Sequence, residues 1–137
     1  MATTIHEGSC LCGAVTYEAD ALPGPALECH CRTCRKAHGS AFKVGTKVLR
    51  EAFRWTRGDA ERRGYESSPG KQRWFCSRCG THLASERSEA PFLMLSLATL
   101  DTEPGFGPSA HIWVCDKASW FDPDPRLPAH ETYPPSR

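Results

Sequence analysis

The order of apolar and polar residues divides the chain into short segments. Residues 13–19 (GAVTYEA) alternate between apolar and polar side chains, which predicts a β-strand with one buried face. From residue 41 onward, glycine, proline or charged turns separate a series of short β-prone runs: AFKVGTKVL, FRWTRG, GYESS, QRWFC, THLASE, PFLMLSL and HIWV. This pattern predicts a mainly β fold built from short strands.

One segment departs from the strand pattern. The stretch CRTCRKAHG lacks a run of β-branched residues and contains good helix formers. It stops at Gly39, and glycine commonly ends helices because it adopts the left-handed conformation at little cost. The segment therefore predicts one short helix at Arg32–His38, directly after a group of cysteines.

Length and composition bound the fold further. The 137 residues suit one domain, with a core at about residues 5–122 and a proline-rich tail at 123–137 that wraps the surface or stays loose. The net charge of +1 argues against a nucleic acid partner. The longest apolar run, FLMLSLATL, has about half the length of a membrane-spanning helix. The first residues, MATTIHEGSC, lack a signal-peptide pattern, so we expect a cytoplasmic protein.

The eight cysteines fall into groups whose spacing is typical of metal sites. Cys10 and Cys12 form a C-x-C pair, and Cys76 and Cys79 form a C-x-x-C pair. Cys29, Cys31 and Cys34 form a C-x-C-x-x-C triad, and Cys115 is a single cysteine. Both spacings bring sulfurs to one side of the chain. The two distant pairs therefore predict a closed, structural zinc site, and the triad predicts a second zinc with a vacant position. Disulfides, a redox-active CSRC pair and an iron–sulfur cluster are the alternatives.

Several residues are candidates for a fourth ligand that would close the triad. They are Cys115, His30, His38, His82 and His111. An open triad favours an enzyme, whereas a closed one favours a non-catalytic, zinc-stabilised binding module for a protein or nucleic acid partner. His38 and His82 are also the nearest candidates in sequence for a general base.

Four segments combine these cysteines with their neighbours: GSCLCGAVTYE, CHCRTCRKAHGSAF, SSPGKQRWFCSRCGTHL and HIWVCDKASWF. Together they resemble the glutathione-dependent formaldehyde-activating enzyme family, which also includes centromere protein V, over about residues 8–121. The resemblance implies a β-tent fold of antiparallel strands around zinc, with two zinc ions per chain. It assigns the structural zinc to Cys10, Cys12, Cys76 and Cys79, and the catalytic zinc to Cys29, Cys31 and Cys34. The implied activity is a carbon–sulfur lyase acting on S-(hydroxymethyl)glutathione.

The charge of the triad predicts how such a site would work. Three thiolates around Zn²⁺ leave a net negative charge, so the metal activates water poorly but holds one more thiolate well. We hypothesise that a substrate thiol binds there, loses its proton and attacks formaldehyde, or that the reverse step releases formaldehyde. Because glutathione is anionic, nearby cations should bind it. The candidates are Arg32, Arg35, Lys36, Lys71 and Arg73.

Overall fold

The chain is described by a computed structural model, which gives the structure of residues 5–135. Within these residues the backbone forms ten short β-strands and one α-helix. The strands are β1 (His6–Ser9), β2 (Thr16–Ala19), β3 (Ala26–Cys29), β4 (Lys43–Leu49), β5 (Phe53–Arg57), β6 (Arg62–Ser68), β7 (Lys71–Cys76), β8 (His82–Arg87), β9 (Phe92–Ser96) and β10 (Pro108–Ile112), and the helix is α1 (Arg32–His38).

The strands form two sheets. A three-stranded antiparallel sheet has the order β1-β2-β5, and a seven-stranded sheet has the order β10-β3-β4-β9-β8-β7-β6. Neighbours in the larger sheet run antiparallel except β10 and β3, which are parallel. The prediction of a mainly β fold with short antiparallel strands and one short helix is therefore confirmed.

The helix α1 lies where the sequence predicts it. The Cys31 side chain caps its first turn by accepting a hydrogen bond from the N–H of Cys34 (3.3 Å). Gly39 ends the helix in the left-handed conformation (φ 60°), and its N–H donates to the carbonyl of Arg35. A cysteine of the triad thus begins the helix. No helix within residues 5–135 is long and apolar enough to cross a membrane.

The sequence pattern misses β1 and β3, and it starts β2 too early. Each missed strand has only four residues, which is too short for a clear alternation. The start of β2 is delayed because residues 10–13 form a turn instead of a strand. In this turn Gly13 has φ 81°, and its N–H donates to the carbonyl of Cys10 (3.0 Å). The turn therefore carries the first cysteine pair.

The main hydrophobic core is formed by side chains from β2, β4, β8 and β9. Tyr17 lies at its centre and crosses β1 at Gly8, where any side chain would collide with the tyrosine ring. The Tyr17 hydroxyl is hydrogen-bonded to the hydroxyl of Thr99 (2.7 Å). Cys10 and Cys76 belong to the same core. Both cysteine pairs of the first predicted site are therefore joined to the centre of the fold.

The described part of the proline-rich tail, residues 123–135, runs beside β10. The N–H of His111 donates to the carbonyl of Pro128 (2.8 Å), and the N–H of His130 donates to the carbonyl of His111 (2.9 Å). Further along, the N–H of Trp113 donates to the carbonyl of Thr132 (3.0 Å). These bonds hold the tail along the edge of the larger sheet. Residues 136 and 137 of the predicted tail lie outside the described residues.

Candidate active site

The first predicted zinc site is formed by two turns. One is the turn at residues 10–13, and the other joins β7 to β8, where Gly80 (φ 81°) donates its N–H to the carbonyl of Cys76 (2.8 Å). The sulfurs of Cys10, Cys12, Cys76 and Cys79 all lie within 4.8 Å of one another. The Sγ atoms of Cys10 and Cys12 are 3.7 Å apart, and those of Cys12 and Cys76 are 3.8 Å apart. A tetrahedral zinc ion requires about 3.8 Å between its sulfurs, so the four cysteines fit a closed zinc site.

Hydrogen bonds prepare this cluster to carry negative charge. The backbone N–H of Val15 donates to Cys10 Sγ (3.3 Å). The Thr81 hydroxyl lies 3.3 Å from Cys79 Sγ, and this hydrogen bond is the largest cause that lowers the pKa of Cys79 to about 5. Donors directed at sulfur favour thiolate over thiol. The surroundings of these cysteines therefore suit the binding of a cation.

The second predicted site, the triad, lies where β3 runs into α1. Cys29 ends the strand, Cys31 caps the helix, and Cys34 lies in the first helical turn. The three sulfurs lie within 4.8 Å of one another, and no fourth Cys, His, Asp or Glu of residues 5–135 joins the group. Three soft ligands in this arrangement fit a zinc ion that has one position left for another ligand.

Positive charge surrounds the triad. The Arg73 guanidinium donates a hydrogen bond to Cys34 Sγ (3.7 Å), and Lys43 lies opposite Cys29 across the β3–β4 ladder. Hydrogen bonds from Cys29 and Cys31, together with the charges of Lys43 and Arg73, lower the pKa of Cys34. Hydrogen bonds to the other two cysteines raise the pKa of Cys29. The two cations thus favour the thiolate form of Cys34.

Lys43 is the residue of this site that the sequence analysis misses. Its side chain is buried, and its Nζ donates to the Ser85 hydroxyl (3.0 Å). Burial lowers the pKa of the ammonium group to about 8, although the nearby charge of Cys34 acts in the opposite direction. The sequence signal is a lysine in a β-prone run, AFKVGTKVL, which is equally typical of a solvent-exposed strand face. Its proximity to Cys29 follows from the strand register.

The triad opens into a cavity of about 730 Å³. The face of the larger sheet that carries Cys29 and Lys43 borders this cavity, and the tail contributes His130 and Tyr133. Small-molecule sites in proteins have volumes of about 300–1,000 Å³. The cavity is therefore large enough to bring a small molecule to the three sulfurs.

The predicted substrate-binding cations separate into two groups. Those that line the cavity are Arg32, Lys71 and Arg73. Arg35 lies outside the lining, and its Nε donates to the backbone carbonyl of His30 (3.4 Å). Lys36 also lies outside the lining and is exposed to solvent. The helix therefore directs only the first of its three predicted cations toward the cavity.

Within residues 5–135, none of the candidate fourth ligands or general bases joins the sulfur group of the triad. The rings of His38 and His82 contact each other at a tilt of 49°, with centroids 4.9 Å apart, and neither residue lines the cavity. Burial, followed by the charge of Lys43, lowers the pKa of His38 to about 4. Cys115 is exposed and donates a hydrogen bond to the Asp116 carboxylate (3.8 Å). Their positions leave the triad as a three-ligand group.

A further group of potential ligands lies on the opposite face of β3 from Cys29. The His111 ring lies at its centre. Its Nδ1 atom is 2.7 Å from a carboxylate oxygen of Glu28 and 3.1 Å from Nε2 of His30. Its Nε2 atom is 3.0 Å from the backbone carbonyl oxygen of Asp124. Burial raises the pKa of Glu28 and lowers the pKa of His30. These distances are those of direct hydrogen bonds. The group therefore ties β3 to β10 and to the tail behind the triad, a role that the sequence spacing does not indicate.

The chain is similar to known proteins over most of its length. The profile of the family described as glutathione-dependent formaldehyde-activating enzyme matches residues 5–116. The chain belongs to this family. A Halomonas elongata protein whose name places it in the same family is 32% identical over 130 residues, which cover 88% of this chain and 82% of that protein. An uncharacterized lyase of Schizosaccharomyces pombe is 36% identical over 80 residues, which cover 57% of this chain and 55% of that protein.

A solved structure extends the similarity to the fold. The crystal structure of a Rhodobacter sphaeroides protein superimposes with a TM-score of 0.62 at 27% sequence identity, and the match covers 74% of this chain and 97% of that one. The family resemblance drawn from the cysteine motifs is thus confirmed. Family membership and the lyase name of a relative support an enzyme of lyase type with a small-molecule thiol as substrate.

Proposed function

We propose that this member of the formaldehyde-activating family is a zinc-dependent carbon–sulfur lyase that acts on a thiol adduct such as S-(hydroxymethyl)glutathione. One observation carries the proposal: three clustered cysteines open into a cavity and have buried cations beside them. A cavity that opens at a three-ligand cluster favours an enzyme over the non-catalytic binding module, for which a closed cluster is expected.

Two zinc ions per chain would occupy the two cysteine clusters. The site at Cys10, Cys12, Cys76 and Cys79 would be structural, because all four positions are supplied by the chain. The second site would be held by Cys29, Cys31 and Cys34. A Zn²⁺ ion on three thiolates supplies a soft Lewis acid that lowers the pKa of an additional thiol.

The residues around the triad favour the charges that the reaction creates. In the lyase direction the C–S bond of the adduct breaks, its electron pair stays on sulfur, and the adduct hydroxyl loses its proton as the C=O bond forms. Arg73 and Lys43 stabilise negative charge near Cys34. An ammonium group has three N–H donors. Because the bond to Ser85 uses one of them, Lys43 could also donate to the adduct oxygen.

The cavity lining also suits an anionic thiol such as glutathione. Lys71 and Arg73 lie on β7 and face the cavity, and Arg32 lies on the helix that follows the triad. Ionised carboxylates form their strongest hydrogen bonds with such cations. We therefore assign binding of the substrate carboxylates to these three residues.

The direct test measures exchange between S-(hydroxymethyl)glutathione and its components. Isotope-labelled formaldehyde and glutathione are mixed with the zinc-loaded full-length chain, and exchange NMR gives the rate of adduct formation and breakdown. We expect this rate to exceed the spontaneous one, to return to it in Cys31→Ser, and to stay raised in the control Cys115→Ser. An exchange rate that the wild-type chain leaves unchanged would contradict the proposal.

A further inference from the structure

We infer that the cavity selects adducts of apolar aldehydes larger than formaldehyde, whose carbon chain lies against Leu27, Gly45 and Met94. The inference rests on the proposed function, because it assumes a substrate thiolate beside the triad. It assigns the second half of the substrate: a medium-length aliphatic aldehyde such as butanal or hexanal, or an aromatic one such as benzaldehyde.

The cavity surface changes in polarity along β3 and β4. Alternate residues of a strand share one face, so Leu27 lies on the cavity face with Cys29, roughly 7 Å away. The strand register places Lys43 opposite Cys29 and Gly45 opposite Leu27. Two residues along each strand, the polar pair Cys29 and Lys43 is therefore replaced by the apolar pair Leu27 and Gly45. A carbon chain attached near the triad would reach this apolar surface.

Gly45 leaves space in the cavity next to Leu27. A Cβ atom at this position would lie 3.3 Å from Lys43 Cε and 3.6 Å from Met94 Cε, so a side chain would fill the cavity floor between these two residues. The backbone of Gly45 is outside the left-handed region that favours glycine. The glycine therefore provides room in the cavity. Met94 is unbranched and adapts to apolar groups of different shape.

The strand β10 continues the apolar surface. The parallel register places Ala110 beside Leu27 and Ile112 beside Cys29. Both β10 residues are buried and line the cavity. The side of the triad that faces β10 therefore offers hydrocarbon to a bound molecule.

The opposite side of the cavity has the contrasting character. Lys71 and Arg87 face each other across the β7–β8 ladder, and both line the cavity together with Arg73. These cations suit the carboxylates of an anionic thiol. Three cations thus line the cavity from β7 and β8, beside Glu86, whereas β3 and β10 form an apolar side with Leu27, Ala110 and Ile112. Lys47 on β4, which pairs with Met94, borders this apolar side. A hydroxymethyl group brings no carbon chain to the apolar side.

The chemistry of a larger aldehyde is the same as that of formaldehyde. The thiol sulfur bonds to the aldehyde carbon, the carbonyl π electrons move to oxygen, and the thiol proton ends on that oxygen to give a hemithioacetal. The reverse step restores thiol and aldehyde without an oxidant or reductant. Each CH₂ group that becomes buried on the apolar side should raise affinity about fourfold.

The test uses unreactive adduct analogues of increasing chain length. Calorimetry measures the affinity of the zinc-loaded chain for S-methyl-, S-butyl- and S-hexylglutathione. We expect at least a tenfold gain in affinity from S-methyl to S-butyl. Equal affinities within a factor of two, or affinities that fall with chain length, would overturn the inference.

Two variants locate the gain on the proposed surface. Leu27→Asn keeps the branching and the number of non-hydrogen atoms of the side chain but removes the apolar surface, and Gly45→Val fills the cavity floor. Each variant should reduce the S-butyl to S-methyl affinity ratio at least fivefold. The matched control is Leu49→Asn, since Leu49 is 43% exposed and outside the cavity lining. If one variant does not fold, the other remains informative. If neither folded variant changes the S-butyl to S-methyl affinity ratio, the alkyl chain binds elsewhere and the inference is overturned.

Kinetics with free aldehydes separate the two proposals. The ratio of kcat/KM for butanal to that for formaldehyde, each with glutathione, should exceed ten after correction for the spontaneous reactions. Turnover of formaldehyde with a ratio below one would overturn the inference while the proposed lyase function stands. No acceleration with either aldehyde would overturn both.

Discussion

The two cysteine clusters use the same ligand in opposite surroundings. The four-cysteine cluster draws on two distant parts of the chain, and its residues Cys10 and Cys76 are 3% and 0% exposed within the main hydrophobic core. The triad comes from one short segment between β3 and α1, and it borders a cavity with Lys43 and Arg73 in its wall. Cys12 of the first cluster is exposed, so burial alone does not separate the two clusters. The first cluster supplies four sulfurs, and the second supplies three and opens into the cavity.

This difference separates stability from chemistry. A metal on the four-cysteine cluster would cross-link the turn before β2 to the turn between β7 and β8, so its binding free energy would add directly to folding. A metal on the triad would hold one local segment and would cross-link little of the chain. The comparison therefore predicts that loss of the two clusters has different consequences.

The largest expected effect is the loss of the four-cysteine cluster. Cys76→Ser should lower the free energy of unfolding by more than about 4 kcal/mol, because it removes a ligand at the centre of the core. Urea denaturation followed by circular dichroism measures this change. The control Cys115→Ser alters an exposed cysteine and should change the free energy by less than about 0.5 kcal/mol. If the Cys76→Ser protein is as stable as this control, the four-cysteine cluster is not structural and the predicted contrast with the triad is wrong.

The second prediction concerns the triad. Cys31→Ser should keep the fold, with a loss of less than about 2 kcal/mol in the free energy of unfolding, because the triad cross-links only a local segment. Its activity should fall to the spontaneous rate, and its zinc content should fall from two to one. Urea denaturation, exchange NMR and metal analysis measure these three quantities. A variant that unfolds as completely as Cys76→Ser would show that both clusters are structural.

The third prediction tests the cation beside the triad. Lys43→Met should lower kcat/KM about 100-fold, because it removes a positioned donor at the site where charge develops. The two zinc ions should remain bound. The control is Lys117→Met, since Lys117 lies outside the cavity lining. A change of less than threefold in Lys43→Met would remove Lys43 from the chemistry.

The smallest expected effect distinguishes the cations on α1. Arg32→Ala should raise KM for the thiol about two- to fivefold, because exposed charge pairs contribute little free energy. Lys36→Ala should leave KM unchanged, since Lys36 lies outside the cavity lining and is exposed. Steady-state kinetics with both variants provides the comparison. Equal KM values for the two variants would show that Arg32 does not contact the substrate.

The sequence was sufficient to predict the mainly β fold, the helix at Arg32–His38 and the separation of cysteines into four and three. Each of these features depends on local spacing: alternation for strands, a glycine at the end of the helix, and short cysteine motifs. The strands β1 and β3 were missed because four residues leave too little pattern. Local spacing therefore revealed most of the elements and the grouping of the cysteines.

The surroundings of the triad could not be predicted in the same way. Lys43 is brought to Cys29 by the register of β3 and β4, and Arg73 reaches Cys34 from β7 in the same sheet. The hydrogen bonds of His111 to Glu28 and His30 also join residues that are far apart in the sequence. These contacts depend on long-range pairing, which spacing along one chain does not encode.

The most direct test of the contrast between the clusters is native mass spectrometry of the purified chain. We predict two zinc ions per wild-type chain and one per Cys31→Ser chain, with the remaining ion held by the four-cysteine cluster. One zinc ion in the wild type, retained unchanged in Cys31→Ser, would contradict a metal site at the triad.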